Sequence, residues 1–260
     1  MRDADDEAGS GLPPSLEAAW GLRERPGKGP RPGLTVDRIV AAAVGLAAAE
    51  GLAAVSMGRV AKEVGVSTMA LYRYVSAKDE LYVLMQEAVL GPPPAAVPGR
   101  GWRAALTAWA HAQREMLQRH VWALRMPITG PPATPNSVAW MEAGLTALDG
   151  SGLDDGERIS VVMLVGGHVR SDVLLMADLG AGHAASGLTP EESLGRYARL
   201  LRRFTDPARF PAVTRALASG VFDGADDPDH EFRFGLERIL DGVEAMAAER
   251  GGPGLRPGTP

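Results

Sequence analysis

The chain has 260 residues, of which 45% are hydrophobic, enough for a sizeable core in one large domain or two smaller ones. It contains no cysteine, which excludes disulfides and thiolate metal sites and fits a reducing cytoplasm. No run of about 18 uninterrupted apolar residues occurs, so no membrane span is expected.

Charge is distributed unevenly along the chain, although the net charge is −5. Residues 1–17 carry five acidic side chains and one Arg, whereas residues 18–80 carry nine Lys and Arg against six Asp and Glu. A basic N-terminal segment joined to an acidic body keeps the attraction to phosphate local. The charge pattern therefore permits nucleic-acid binding by the N-terminal part.

The first segments in chain order are predicted to lack regular structure. Residues 1–22 are predicted to be a disordered acidic tail, and residues 23–34, rich in Pro, Gly and Arg, an extended basic arm. Lys28 and Arg31 in this arm either contact the minor groove or phosphates, as homeodomain arms do, or belong to a solvated linker. The sequence leaves both interpretations open. Residues 251–260 are predicted to be a second disordered tail.

Residues 35–90 are predicted to form a domain of short consecutive helices. Glycine ends the first two helices, because it adopts the left-handed conformation that closes a helix: Gly51 and Gly65. A Ser or Thr precedes each of four helices as its N-cap: Thr35, Ser56, Ser67, and Ser76 in a capping box with Asp79.

The third of these helices, predicted over Thr68–Val75, is suited to DNA recognition. A short helix with outward hydroxyl, aromatic and Arg groups fits the major groove, where its first residues meet base edges. Lys78 begins the next helix, where its ammonium and the nearby backbone N–H groups are placed to bind a phosphate. A helical hairpin with a solvated face is the alternative. The predicted DNA-facing residues of this helix are Thr68, Met69, Ala70, Tyr72, Arg73 and Tyr74.

The motif LYRYV at residues 71–75, followed by KDEL at residues 78–81, carries a family resemblance. With the pattern around it, residues 35–85 resemble the DNA-binding domain of the tetracycline-repressor (TetR) family. FPAVTRALASGVFD and FRFGLERILDGVEA resemble that family's tetracycline-repressor-type C-terminal domain, and the leader AAWGLRERPGKGPRPGL resembles an actinobacterial subgroup. The resemblance implies an all-α protein with an N-terminal three-helix helix-turn-helix domain and a C-terminal helical ligand-binding and dimerisation domain.

The resemblance also implies DNA contacts outside the third helix. The tetracycline repressor reads a base with an Arg of its second helix, but that position is Gly58 here. Arg59 is the nearest cation of the second helix, and Arg73 adds a donor on the third. The operator is therefore expected to differ from the tetracycline operator. The implied phosphate contacts are Ser56, Met57, Tyr72 and Lys78.

Residues 100–250 are predicted to form the second domain. Its two longest predicted helices are Asp154–Leu179 and Glu231–Arg250, and the resemblance implies that they form a four-helix interface in a homodimer. Packing within one subunit alone is the alternative. Several apolar residues of the last helix are predicted to lie on one side: Phe234, Ile239 or Leu240, Val243 and Met246.

Four of the five tryptophans fall between residues 102 and 140, together with several methionines. Aromatic and Met surfaces bind flat or greasy molecules, but the same residues also form ordinary cores. The family prototype binds its magnesium-chelated drug through an Asn and a His, and those positions are Trp109 and Pro127 here. A largely apolar or aromatic effector is therefore expected. The candidate ligand-binding residues are Trp109, Gln113, Met116, Trp122, Met126, Trp140, Met141, His168 and Asp172.

Two residue pairs, His111/Glu115 and His168/Asp172, have the i,i+4 spacing of metal ligands, but no further ligand motif accompanies them. Phosphate loops, nucleophile elbows and zinc-protease motifs are absent from the sequence, so no metal, cofactor or catalysis is expected. The sequence predicts a cytoplasmic homodimeric repressor, released from a palindromic double-stranded DNA operator by a small-molecule effector and without a membrane partner. The alternatives are a helical metal-dependent enzyme and a protein-interaction module.

Overall fold

A computed structural model describes residues 14–22, 34–128, 130, 133–222, 224 and 227–251. All regular elements in these ranges are helical, which confirms the all-α fold class. Two short 3₁₀ helices lie within the described residues, at Leu52–Ala54 and at Val121–Arg125. The α-helices are α1 Pro14–Ala19, α2 Val36–Glu50, α3 Met57–Val64, α4 Thr68–Tyr72, α5 Lys78–Leu90, α6 Trp102–Arg119, α7 Pro135–Ala147, α8 Asp155–Ser186, α9 Pro190–Phe204, α10 Pro211–Ala218 and α11 His230–Gly251.

Helices α2 to α5 form the helix-turn-helix unit, and three of its predicted caps are confirmed. The hydroxyls of Thr35, Ser56 and Ser67 each accept a hydrogen bond of 3.2 Å from the backbone N–H three residues later. Gly65 has φ +77° and ends α3 in the left-handed conformation that makes the turn to α4. A core beneath these helices includes Ile39, Val60, Leu71, Leu81 and Met85.

The fourth predicted cap is wrong. Helix α4 ends at Tyr72 rather than Val75, and α5 begins at Lys78 with Ala77 as its N-cap and no side-chain cap bond. The N–H of Ser76 instead donates to Oε2 of Glu80 at 2.6 Å, and that carboxylate is buried. The capping interaction is thus displaced, because the residue in the third position of α5 is Glu80 and not Asp79.

The predicted N-terminal tail contains a helix, so the expectation of disorder is wrong for residues 14–22. Helix α1 packs against α5, and its residues Ala18 and Ala19 lie on the core of the helix-turn-helix unit. Residues 1–13, the basic arm with Lys28 and Arg31 at 23–33, and residues 252–260 lie outside the described residues.

Helices α6, α7, α8 and α11 surround a second core, which includes Leu106, Trp109, Val165, Phe232 and Leu236. The prediction for the last helix is wrong in part. Val243 is buried in this core, whereas Phe234 is 53% exposed. The two residues are nine positions apart, which places them on opposite sides of a helix that turns about 100° per residue.

Helix α8 has 32 residues and extends about 48 Å. Within the described residues it alone is long and apolar enough, by length and composition, to cross a membrane. Its buried valines, among them Val161, Val165 and Val169, pack in the second core, as expected of a core helix. Helices α9 and α10 follow it, pack against each other and contribute no residue to either core.

Candidate DNA interface and ligand-binding core

The outward residues of α4 are those expected to meet DNA. Thr68, Met69, Tyr72 and Arg73 are exposed, and Met69 is 76% exposed although it is apolar. Side chains of this kind contact the methyl group of thymine in the major groove. The solvent-facing position of Met69 therefore agrees with a base-facing role.

Two predicted DNA contacts lie deeper than expected. The Met57 side chain is buried in the helix-turn-helix core, which leaves its backbone N–H at the start of α3 as the group able to bind phosphate. Tyr74 is half-buried and packs against the same core. Both side chains are covered because they pack on this core.

Exposed groups flank α4 on both sides. The Ser56 hydroxyl caps α3, and the Lys78 ammonium at the start of α5 lies 5.1 Å from the ring centroid of Tyr82. Arg59 on α3 is paired with Glu50 at the end of α2, through N···O distances of 2.8 and 2.6 Å. This hydrogen-bonded pair lowers the pKa of Glu50 and raises the pKa of Arg59.

A positioning residue was missed by the sequence analysis. Nη2 of Arg38, on α2, donates to the carbonyl oxygen of Val64 at 3.2 Å. Val64 is the last residue of α3, immediately before the turn at Gly65. Arg38 thereby holds the C-terminal end of α3 in place, next to the turn that leads to α4. The ordinary appearance of an Arg in the first turn of a helix gave no signal for this role.

Trp109 and Trp140, two candidate ligand-binding residues, are core residues. Their rings pack edge to face at 6.3 Å, and Nε1 of Trp109 donates to the carbonyl oxygen of Trp140 at 3.0 Å. Nε1 of Trp140 donates to the carbonyl oxygen of Gly91 at 3.0 Å, beyond the end of α5. A Cβ on Gly144 would lie 3.1 Å from the Trp109 ring, so glycine permits this packing. Both indole N–H groups are therefore used within the protein.

Asp172 is paired with a buried cation. Its carboxylate accepts from Nε of Arg114 at 2.8 Å, and Nη1 of Arg114 donates to Asp229 at 2.7 Å. Burial lowers the pKa of Arg114, but the hydrogen bonds to the two carboxylates outweigh it and leave the pKa raised. The Arg114 guanidinium also lies 4.3 Å from the ring centroid of Phe232. Asp172 thus joins α6 to α8 and neutralises Arg114.

His168 connects α8 to α11. Its ring stacks on Phe232 with centroids 5.5 Å apart, and Nε2 lies 3.0 Å from the carbonyl oxygen of Phe232. A Cβ on Gly235 would lie 2.3 Å from the imidazole, so the crossing requires glycine there. The three residues form a helix contact rather than an open ligand site.

Two other candidates retain unused polar atoms. Oε1 of Gln113 and Nε1 of Trp122 are buried and have no hydrogen-bond partner among the described residues, and the same holds for Nδ1 of His120. Burial, and then Arg119, lower the pKa of His120. Because buried polar groups are normally satisfied, each of these atoms is a position at which a ligand or water atom is expected. Of the remaining candidates, Met116 and Met126 are buried and Met141 is half-buried.

His120 was missed by the sequence analysis, although it stands two residues before Trp122. Their rings pack edge to face at 6.2 Å. Trp122, on the 3₁₀ helix after α6, also packs partly against the core of the helix-turn-helix unit. The unused N–H is therefore carried by a residue that contacts both domains. In the described part of the chain, no group of three His, Asp or Glu side chains is arranged to hold a metal.

Comparison with known proteins agrees with this arrangement. Residues 39–85 match the family described as bacterial regulatory proteins, tetR family, and residues 94–247 match the tetracyclin repressor-like C-terminal domain. The chain is 39% identical to the HTH-type transcriptional repressor DrrR1 of Streptomyces coeruleorubidus over 250 residues, which are 95% of this chain and 91% of DrrR1.

Solved structures give the same result. Apo ActR from Streptomyces coelicolor superimposes with a TM-score of 0.70 at 29% identity, over 85% of this chain and 99% of ActR. ActR in complex with actinorhodin superimposes with a TM-score of 0.67 at 30% identity, over 82% of this chain and 98% of ActR. The chain belongs to the TetR family of transcriptional regulators. It is a DNA-binding regulator of transcription.

Proposed function

We propose that this protein is a cytoplasmic homodimeric repressor that leaves a palindromic operator when an aromatic effector with polar groups binds beside α6. Residues 35–90 bind DNA in this proposal, and residues 100–250 bind the effector and form the dimer. One observation carries effector control: Trp122 has a buried, unpartnered N–H and also packs against the DNA-binding domain. An effector that accepts this hydrogen bond acts directly on a residue at the domain boundary.

The chemistry of the site favours one effector class. In this proposal the buried Met116 and Met126 and the Trp122 ring supply apolar surface, while Oε1 of Gln113 is the acceptor and Nε1 of Trp122 the donor. A flat aromatic molecule that carries both a hydroxyl or amine and a carbonyl satisfies these groups. The similarity to ActR, which was solved in complex with actinorhodin and with (S)-DNPA, supports a small organic effector.

The dimer is supported by apolar surface that one subunit leaves uncovered. Helix α8 exposes large side chains along its length: Ile159, Met163, Leu164, Leu175 and Leu179. A groove between α8 and α11 continues this surface at Ile239 and Met246. Extensive exposed apolar surface is rare on monomers and typical of subunit interfaces. We infer that α8 and α11 of two subunits pack together, with α9 and α10 extending the interface.

The two-fold dimer predicts the form of the operator. Two copies of α4 related by a two-fold axis bind two half-sites of opposite orientation, about 34–36 Å apart on one face of the duplex. Symmetric pairing of this kind is the rule for oligomeric regulators with closed symmetry. DrrR1, a repressor by its description, supports repression as the outcome of binding.

Selection of genomic DNA fragments with the purified full-length protein tests the proposal. We expect enrichment of a palindrome, bound by one dimer, and its release by some member of a panel of hydroxylated polycyclic aromatic compounds. The matched control is Trp122→Phe, which should bind the same palindrome but release it poorly. If no sequence is enriched, or the selected sites lack symmetry, the proposed operator mechanism is wrong.

A further inference from the structure

The segment before the basic arm contacts both domains. Helix α1 packs against α5 through Ala18 and Ala19, and its end is closed by Gly21, with φ +68°, and by a 2.8 Å bond from the Leu22 N–H to the Glu17 carbonyl. This turn places Trp20 over the ligand-binding domain. Nε1 of Trp20 donates to the carbonyl oxygen of Ala133 at 2.8 Å, across 113 residues of sequence.

Ala133 lies at the start of the helix that carries Trp140. It immediately precedes Thr134, the N-cap of α7. The first turn of α7 is bonded to α5, because the Asn136 N–H donates to both carboxylate oxygens of Glu87 at 3.0 Å and Nδ2 of Asn136 donates to the Glu87 carbonyl at 3.1 Å. The N-terminus of α7 is thus held by α5 and by Trp20 together.

Helix α5 also controls where the DNA-binding residues stand. It begins at Lys78, six residues after the last residue of α4, Tyr72, and its buried Glu80 accepts a hydrogen bond from the Ser76 N–H. A change in the angle between α5 and α7 therefore moves α4 as well. In a dimer, that angle sets the separation of the two recognition helices.

We propose that Trp20 is a positioning residue for DNA binding, which fixes the orientation of the helix-turn-helix unit on the ligand-binding domain through its hydrogen bond to Ala133. The bond lies near the surface, so it restrains the angle without being essential for folding. Loss of one such bond changes a conformational equilibrium by about threefold to tenfold. The effect on operator choice rests on the proposed operator binding, whereas the restraint of α5 on α7 does not.

Trp20→Phe removes the indole N–H and keeps an aromatic ring. Leu22→Ala is the matched control, because this exposed side chain lies in the same turn and its backbone bond to Glu17 is retained. The first measurement is hydrogen exchange of the full-length protein. We expect amides in residues 134–140 and 84–90 to exchange about threefold to tenfold faster in Trp20→Phe, and unchanged in Leu22→Ala.

The second measurement uses the selected operator with its half-site spacing lengthened or shortened by one base pair. The wild-type protein should prefer the native spacing, and Trp20→Phe should lose at least threefold of that preference. An equal loss of affinity at every spacing would show a general structural defect and overturn the positioning role. Unchanged hydrogen exchange in Trp20→Phe would overturn the positioning role as well. If no operator is recovered, the hydrogen-exchange result alone decides.

Discussion

Arg59 and Glu50 form a paired, two-bond salt bridge between α3 and α2, on the segment expected to face DNA. Both side chains remain about half exposed, so the pair stabilises the fold little. Glu50 takes two of the five N–H donors of Arg59 and offsets its charge. We therefore expect the salt bridge to weaken a phosphate contact by Arg59.

Glu50→Gln should strengthen operator binding severalfold. The neutral amide frees Arg59 for a phosphate, and one additional phosphate contact in each of the two subunits steepens the slope of log K against log salt concentration by about 1.8. Titration of the operator at several salt concentrations measures both effects. The double variant Glu50→Gln with Arg59→Ala is the control and should lose the gain. An unchanged slope in the single variant would show that Arg59 stands away from the duplex.

Arg73→Ala should weaken binding of the selected operator by about 1–3 kcal/mol, because Arg73 is the exposed cation at the end of α4. Arg209→Ala, in the C-terminal domain, removes the same charge at a distance from α4 and should have little effect. Fluorescence anisotropy with labelled operator gives both affinities. Equal affinities for the two variants would exclude a specific contact by Arg73.

Two Trp→Phe variants should differ in their effect on the free energy of unfolding. Trp140→Phe removes a donor that is satisfied by backbone carbonyls at the end of α5, and it should lower the free energy of unfolding by about 1 kcal/mol. Trp122→Phe removes a donor without a partner, so the free energy of unfolding should stay the same or rise. Urea unfolding of both variants measures the difference. A larger loss for Trp122→Phe would contradict the assignment of its N–H to a ligand.

Two Gly→Ala variants test the crossing of α8 and α11. Gly235→Ala should lower the free energy of unfolding by about 1–3 kcal/mol, because the new methyl would collide with the His168 ring. Gly45→Ala, in α2 with open space around it, should raise it by about 0.5–1 kcal/mol through helix propensity. Thermal unfolding by circular dichroism compares them. Stabilisation by both substitutions would mean that the helices separate freely at Gly235.

The half-buried imidazole of His120 should make stability depend on pH. Its pKa is lowered by burial, and then by Arg119, from an ordinary value of 6.5. The unfolded chain therefore binds the proton more tightly than the folded one, so stability is complete above pH 6.5 and falls as the pH drops towards the lowered pKa. In His120→Gln this part of the decline should be absent. Urea unfolding from pH 7.5 to 5 makes the comparison, and parallel curves for both proteins would refute the assignment.

The sequence by itself determined the parts of the structure that depend on neighbouring residues. The caps at Thr35, Ser56 and Ser67 and the turn at Gly65 were predicted because each involves bonds within three or four residues. The exposed positions of Thr68, Met69, Tyr72 and Arg73 on α4 followed from its local helical pattern for the same reason. The LYRYV motif then identified the family, and with it the order of the two domains.

Only the tertiary structure decided which side chains are available for binding. Trp109, Trp140 and Trp122 are alike in the sequence, yet the first two use their N–H groups in the core and the third does not. Arg59 pairs with Glu50, nine residues away in the sequence. Asp172 pairs with Arg114 across 58 residues, and Trp20 bonds to Ala133 across 113 residues. Burial and long-range pairing depend on how whole helices pack, and no local pattern of residues carries that information.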